Sequence, residues 1–242
     1  MSETNSNPAV AGEEKLRIVD LAEETVGFGE TEWHTFRDLL IRPRDALDAY
    51  LERGPTGGGQ YRRPFGFYIA LCGLLTFYLF LLGGFKGIIE AQPAEVLNPW
   101  IERSGKSRQD FINDVDGWMS IIGTPLLSAF YALLSAPLLI WWSGLDRRRG
   151  VRATFVLLNA WTAPMVLLGP LPFLPAFAAI STLILQLLLC IVFLRMGKGL
   201  WFQSWPMGLA KSFALFAVVM VASAIGMVPV LYISLLAGSM VG

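Results

Sequence analysis

The spacing of apolar positions changes at Pro64. Before it, apolar residues recur one turn apart among charged ones: Phe36, Leu39, Leu40, Pro43, Ala46, Leu47, Tyr50 and Leu51 fall at helical intervals. Pro43 divides this stretch into two short helices and takes the first turn of the second, where its missing N–H is harmless. Thr35, with Asp38 three residues on, is the expected N-cap. Farther upstream, Leu16, Val19, Ala22 and Val26 form a weaker stripe that predicts a short helix over Glu13–Val26. The polar residues before it have no periodicity, and disorder is expected there. GPTGGGQ, at 54–60, reads as a flexible link.

After Pro64 the apolar residues run together. Crossing about 30 Å of hydrocarbon takes about 20 residues, and five stretches meet that need: 65–84, 118–142, 153–169, 173–194 and 209–237. Gly169, Pro170, Pro172 and Pro175 separate the third from the fourth, because prolines so close together end a helix. Trp118, Trp141 and Trp142 suit the two headgroup belts. The predicted fold class is all-α: a polytopic integral membrane helical bundle of five transmembrane helices with N-terminal cytoplasmic amphipathic helices. Residues 1–63 form the cytoplasmic region and 64–242 the membrane domain.

Composition agrees, with 54% hydrophobic and 16% charged residues. The net charge of zero hides an asymmetry. Of 19 acidic residues, 12 lie in the first 63 positions, and none follows Asp146. Orientation follows from cations in the short flanks. Arg53, Arg62 and Arg63 precede the first span; Arg147, Arg148, Arg149 and Arg152 separate the second and third; Arg195, Lys198 and Lys211 separate the fourth and fifth. Lys86, Arg103, Lys106 and Arg108, between the first and second spans, are offset by six acids. Ten flanking cations on one side against four on the other predict a cytoplasmic N-terminus and an outer C-terminus in the inner membrane. The N-terminus has no basic region of the kind that opens a cleaved secretory signal. The outer loop, 85–117, is expected to be a solvated cap, with a short helix from Ser107 feeding the second span.

Candidate chemistry is sparse. Cys72 and Cys190 lie inside apolar runs and read as small hydrophobes, and His34 is the single histidine. No Asp, Glu, Lys, Arg or His lies within a predicted span away from its ends. That weighs against pumps, ion-coupled transporters and intramembrane hydrolases. No phosphate loop, nucleophile elbow or paired-carboxylate arrangement is present. No catalytic residue, metal ligand or cofactor is therefore predicted, and no enzyme. Asn159 and Gln186 are the strongly polar side chains inside spans, at depths differing by about 5 Å. A hydrogen bond between them, or from them to a freed backbone carbonyl, is expected. Arg62, Arg63, Arg147, Arg148, Arg149 and Arg152 are candidate contacts for lipid headgroups or a partner. The helices of Thr35–Arg53 balance their own charges, so an interfacial position on the inner leaflet and packing on the chain's own spans are both open.

The run TFRDLLIRPRDALDAYLERG, the basic QYRRPFGFY leading into the first span and NAWTAP at 159–164 together resemble the bacterial branch of the Ypt-interacting protein (Yip) superfamily. The matching positions are Thr35, Leu39, Pro43, Tyr61, Arg62, Arg63 and Pro64. Many members of that branch carry a cysteine-rich head, which this chain lacks, and the Asp-Leu-Tyr-Gly-Pro motif of the eukaryotic family is missing. Binding to small GTPases is therefore not implied. The resemblance implies a five-span, non-enzymatic membrane protein that works through partner contacts. The expected function is that of a scaffold, assembly factor or accessory subunit, with membrane lipids and another membrane protein or a second copy as partners, and no nucleic acid. A channel or transporter for a neutral or lipidic substrate is the alternative.

Overall fold

The computed structural model describes residues 29–82, 84–169, 171 and 178–240. Its helices are α1 (Glu30–Ile41), α2 (Pro43–Glu52), α3 (Pro64–Leu82), α4 (Lys86–Glu90), α5 (Ala94–Ser104), α6 (Arg108–Ser143), α7 (Arg147–Leu168), α8 (Ala178–Gly197) and α9 (Trp205–Met240). The described residues contain no β-strand. The stripe predicted over Glu13–Val26 and the turn expected around Pro172 lie outside the described residues.

Among the described residues, four helices are long and apolar enough to cross a membrane: α3, α6, α7 and α9. In α3, α6 and α9 only 22%, 17% and 28% of the most apolar window is buried, against 61% in α7. A water-soluble protein would not leave apolar helices so uncovered; a bilayer covers them. Helix α7 is therefore the centre of the bundle, with α3, α6 and α8 packed around it. The apolar part of α8 described with side chains, Leu187–Gly197, is shorter than a full crossing.

Helices α6 and α9 have 36 residues each, or about 54 Å, nearly twice the hydrocarbon thickness. They run antiparallel along most of that length. Lys211 lies 5.2 Å over the Trp142 ring, Tyr131 Oη is 3.0 Å from Ser223 Oγ, and Lys106 Nζ donates to Gly238 O at 3.1 Å. Buried Ala222, Gly226, Val230, Ser234 and Gly238 form the contact stripe of α9. A methyl group on Gly226 would sit 2.9 Å from Leu127 and 3.0 Å from Phe130. The absence of side chains there sets the separation of the two helices.

Three expectations are corrected. Helix α1 begins at Glu30, not at Thr35: Gly29 is the N-cap, and its N–H donates to Glu32 Oε2 at 3.2 Å. Thr35 sits inside the helix, with its hydroxyl donating to Thr31 O at 2.7 Å. The glycine-rich link is a built loop. Gly57 and Gly59 donate to Gly54 O and Thr56 O, both at 3.0 Å, and Gly57 has φ +56 with the Tyr61 ring where a side chain would stand. The segment between α3 and α6 is more than a solvated cap. Phe85, Ile89 and Leu97 form a second buried cluster with Phe111, Val115 and Met119 of α6 and Val230 and Leu235 of α9. Pro43 does stand at the start of α2, as its spacing predicts.

Candidate functional site

The arginine-rich end of the bundle carries the most elaborate polar structure. Helices α1 and α2 lie across it and share a core with the long helices. Phe36, Leu39, Ala46, Leu47 and Tyr50 are buried together with Leu157, Trp161 and Phe193. These two helices thus pack on the protein's own α7 and α8. Where sequence left lipid and protein both open, the apolar stripe is filled by protein.

Three arginines tie this layer down by donating to the carbonyls that helix C-termini leave unpaired. Arg195 Nη1 and Nη2, from the end of α8, donate to Leu40 O at 3.2 Å and Ile41 O at 2.8 Å, the end of α1. Arg44 Nη1 returns the favour from α2, donating to Met196 O at 2.6 Å and Lys198 O at 2.9 Å, while its Nε meets Asp48 Oδ2 at 2.8 Å. Arg152 Nη1 of α7 donates to Tyr50 O at 2.8 Å, near the end of α2.

The start of α3 is fixed just as firmly. Tyr50 Oη donates to Arg62 O at 2.6 Å, and Arg62 N donates to Thr35 Oγ1 at 3.0 Å. The Arg62 guanidinium pairs with the buried Glu32 carboxylate, so the charge that sequence leaves unbalanced has a partner. Tyr61 Oη donates to Asp38 Oδ2 at 3.0 Å. Burial, then the Asp38 hydrogen bond and charge, push the Tyr61 phenol up to about 12. Burial also raises Tyr50, helped by the neighbouring Tyr61.

These shifts have a consequence at high pH. An unfolded tyrosine titrates near 10, well below Tyr61 in place. The folded state holds the proton more tightly, so this stabilisation is complete below pH of about 10 and disappears as pH climbs through about 12. Melting temperature should fall across that window. The fall should be smaller in Tyr61→Phe, which has no phenol proton at that position to lose; an identical fall in both proteins would dissociate Tyr61 from it.

The other predicted arginines are placed differently. Arg63, Arg147, Arg148 and Arg149 are exposed. Asp146 caps α7, accepting from Arg148 N at 3.0 Å and Arg149 N at 3.1 Å, and lies 3.9 Å from the Arg149 guanidinium. Asn159 is buried and its Nδ2 donates to Pro64 O at 2.7 Å, joining α7 to the start of α3. Its Oδ1 has no partner among the described residues. The Gln186 side chain lies outside the described residues. As site residues, Arg44, Arg195, Glu32 and Tyr50 were not singled out by sequence; Arg195 entered only as a flanking cation and Tyr50 only through its helical spacing. Only Arg44 and Asp48, four residues apart on one helix face, left a local sign.

Among the described residues no three His, Cys, Asp or Glu side chains are grouped to hold a metal ion. Compared with protein-family models, curated proteins and solved structures, the chain gives no match.

Proposed function

We propose that this multi-pass membrane protein is a non-catalytic scaffold, assembly factor or accessory subunit whose arginine-rich end engages anionic headgroups and a partner protein. In this reading α8 completes a fifth span, the membrane is the inner membrane, the N-terminus is cytoplasmic and the C-terminus outside. The likeness to the bacterial Yip branch, carried by Thr35, Leu39, Pro43 and Tyr61–Pro64, points the same way.

One observation carries the reading. Arg147, Arg148 and Arg149 fill the first turn of α7, at the positive end of its dipole. Cations there cost a surface helix about 0.3–1 kcal/mol each. They are exposed, and they sit on the most deeply buried span, beside a layer held by the arginine caps. Arg149 has Asp146 at 3.9 Å, whereas Arg147 and Arg148 have no ion-pair partner among the described residues, so charges placed against the stability of their own helix are left for something outside the fold. An anionic headgroup or an acidic partner surface supplies what the fold does not.

Native mass spectrometry of the protein released from its own membranes tests this. The wild type should retain anionic phospholipid in preference to zwitterionic, together with a stoichiometric protein. Arg147→Ala/Arg148→Ala/Arg149→Ala should lose both while melting at the same temperature or higher. Equal retention by the variant would reject the assignment, and a tag after Gly242 reachable from the cytosol would reject the threading.

A further inference from the structure

Between α3, α6, α7, α8 and α9, within the lipid-embedded part of the bundle, lies a cavity of about 220 Å³. Its polar lining is Tyr68, Cys72, Thr124, Ser128, Tyr131, Thr162 and Ser223, and among the described residues no Asp, Glu, Lys, Arg or His contributes. Thr124, Ser128 and Tyr131 stand one turn apart on α6, so that helix turns a hydroxyl stripe towards the cavity. The opposing walls are aromatic and aliphatic, with Phe85 at one end and Trp161 alongside.

Thr124 is the informative member. Hydroxyls within helices of this protein usually donate to the carbonyl one turn back. Thr162 bonds Leu158 O at 2.7 Å, Ser223 bonds Val219 O at 2.9 Å and Ser234 bonds Val230 O at 2.8 Å. The Thr124 hydroxyl is buried and has no partner among the described residues. Its neighbours along the wall are paired: Ser128 Oγ with Cys72 Sγ at 3.0 Å, and Tyr131 Oη with Ser223 Oγ at 3.0 Å. The cavity wall thus carries one hydroxyl without a partner among the described residues, in an otherwise paired and largely apolar lining inside a membrane protein.

We infer that this cavity binds a small uncharged amphipathic molecule, its hydroxyl or carbonyl head on Thr124 and its apolar body against the aromatic walls. Charge is excluded because an ion here would be buried with no counter-charge. Size is limited because the volume falls below the roughly 300 Å³ of the smallest drug-sized sites. The proposal is independent of the arginine-rich end, and each can fail without the other.

Photolabelling of the full chain in nanodiscs with 3-azioctanol, an uncharged photoactivatable alcohol, tests it. Saturable adducts are expected on cavity residues, and excess 1-octanol should compete them away while octanoate and octylammonium do not. Thr124→Val preserves side-chain volume, and it should raise the half-saturating concentration about tenfold, the loss of one hydrogen bond. Adducts on the exposed Phe77 and Phe80 should not change with either competitor or variant, which gives an internal reference for the lipid-facing surface. Adducts confined to such exposed positions, equal competition by octanoate, or an unshifted Thr124→Val curve would overturn the assignment.

Discussion

Replacing Arg44 and Arg195 together with alanine should release α1 and α2 from the membrane domain. The pair supplies four hydrogen bonds between a cation and helix-terminal carbonyls, two in each direction. Hydrogen bonds to a charged group contribute about 1.5–3 kcal/mol each when well buried. These are partly exposed, so a total of about 3–4 kcal/mol is expected, or two to three powers of ten in the docking equilibrium. Limited proteolysis between Ile41 and Gly59 reads this directly: cleavage should accelerate by that factor while α3 to α9 stay protected. Lysine at both positions should restore only part of the protection. Its ammonium carries the charge but not the fork that lets Arg44 hold Met196, Lys198 and Asp48 at once. Unchanged cleavage in the alanine variant would mean that the buried apolar layer alone seats the two helices.

Gly226→Leu should be the most damaging single change in the long antiparallel pair. The first carbon of any side chain meets Leu127 and Phe130 at about the limit of real contacts. Alanine can be admitted by small rotamer shifts, and a cost of about 1 kcal/mol is expected. Leucine has to push α6 and α9 apart, with an overpacking cost of about 3 kcal/mol. Lipid offers no hydrophobic compensation for the lost packing. The second cluster, in which Val230 and Leu235 meet Val115 and Met119, lies along the same contact and should loosen with it. Unfolding in graded denaturing detergent should separate the three proteins in the order wild type, alanine, leucine. Matching curves for leucine and wild type would show that this contact is slack.

What sequence made legible divides along the range of the forces involved. Spans were readable because transfer of apolar side chains to lipid is a local sum, and the four described helices long and apolar enough to cross a membrane fall on predicted stretches. Their ends were less readable. The helix predicted from Ser107 is present, but it does not stop before the second span: the two form one helix of 36 residues, α6, whose first turns pack on Phe85, Ile89 and Leu97. Thr35 and Asp38 have the spacing of a capping box, yet Thr35 serves as the acceptor for Arg62 N, a tertiary role that leaves no local trace. Composition marked 54–60 as loose, whereas the Tyr61 ring needs Gly57 bare. Arg152 and Arg195, grouped by counting flank cations, do meet at one end of the bundle. Which arginines donate to carbonyls more than 100 residues away, as Arg44, Arg152 and Arg195 do, was beyond any window of local pattern.

The arginine caps also set a timetable for biogenesis. The seat for the front of the chain is assembled from Arg152, Met196 and Lys198, and its own exposed carbonyls at Leu40 and Ile41 wait for Arg195. Roughly 150 residues of later chain must leave the ribosome and enter the bilayer before that seat exists. The earliest of the described segments to be synthesised is thus among the last to settle, and its docking reports that the helices behind it have arrived.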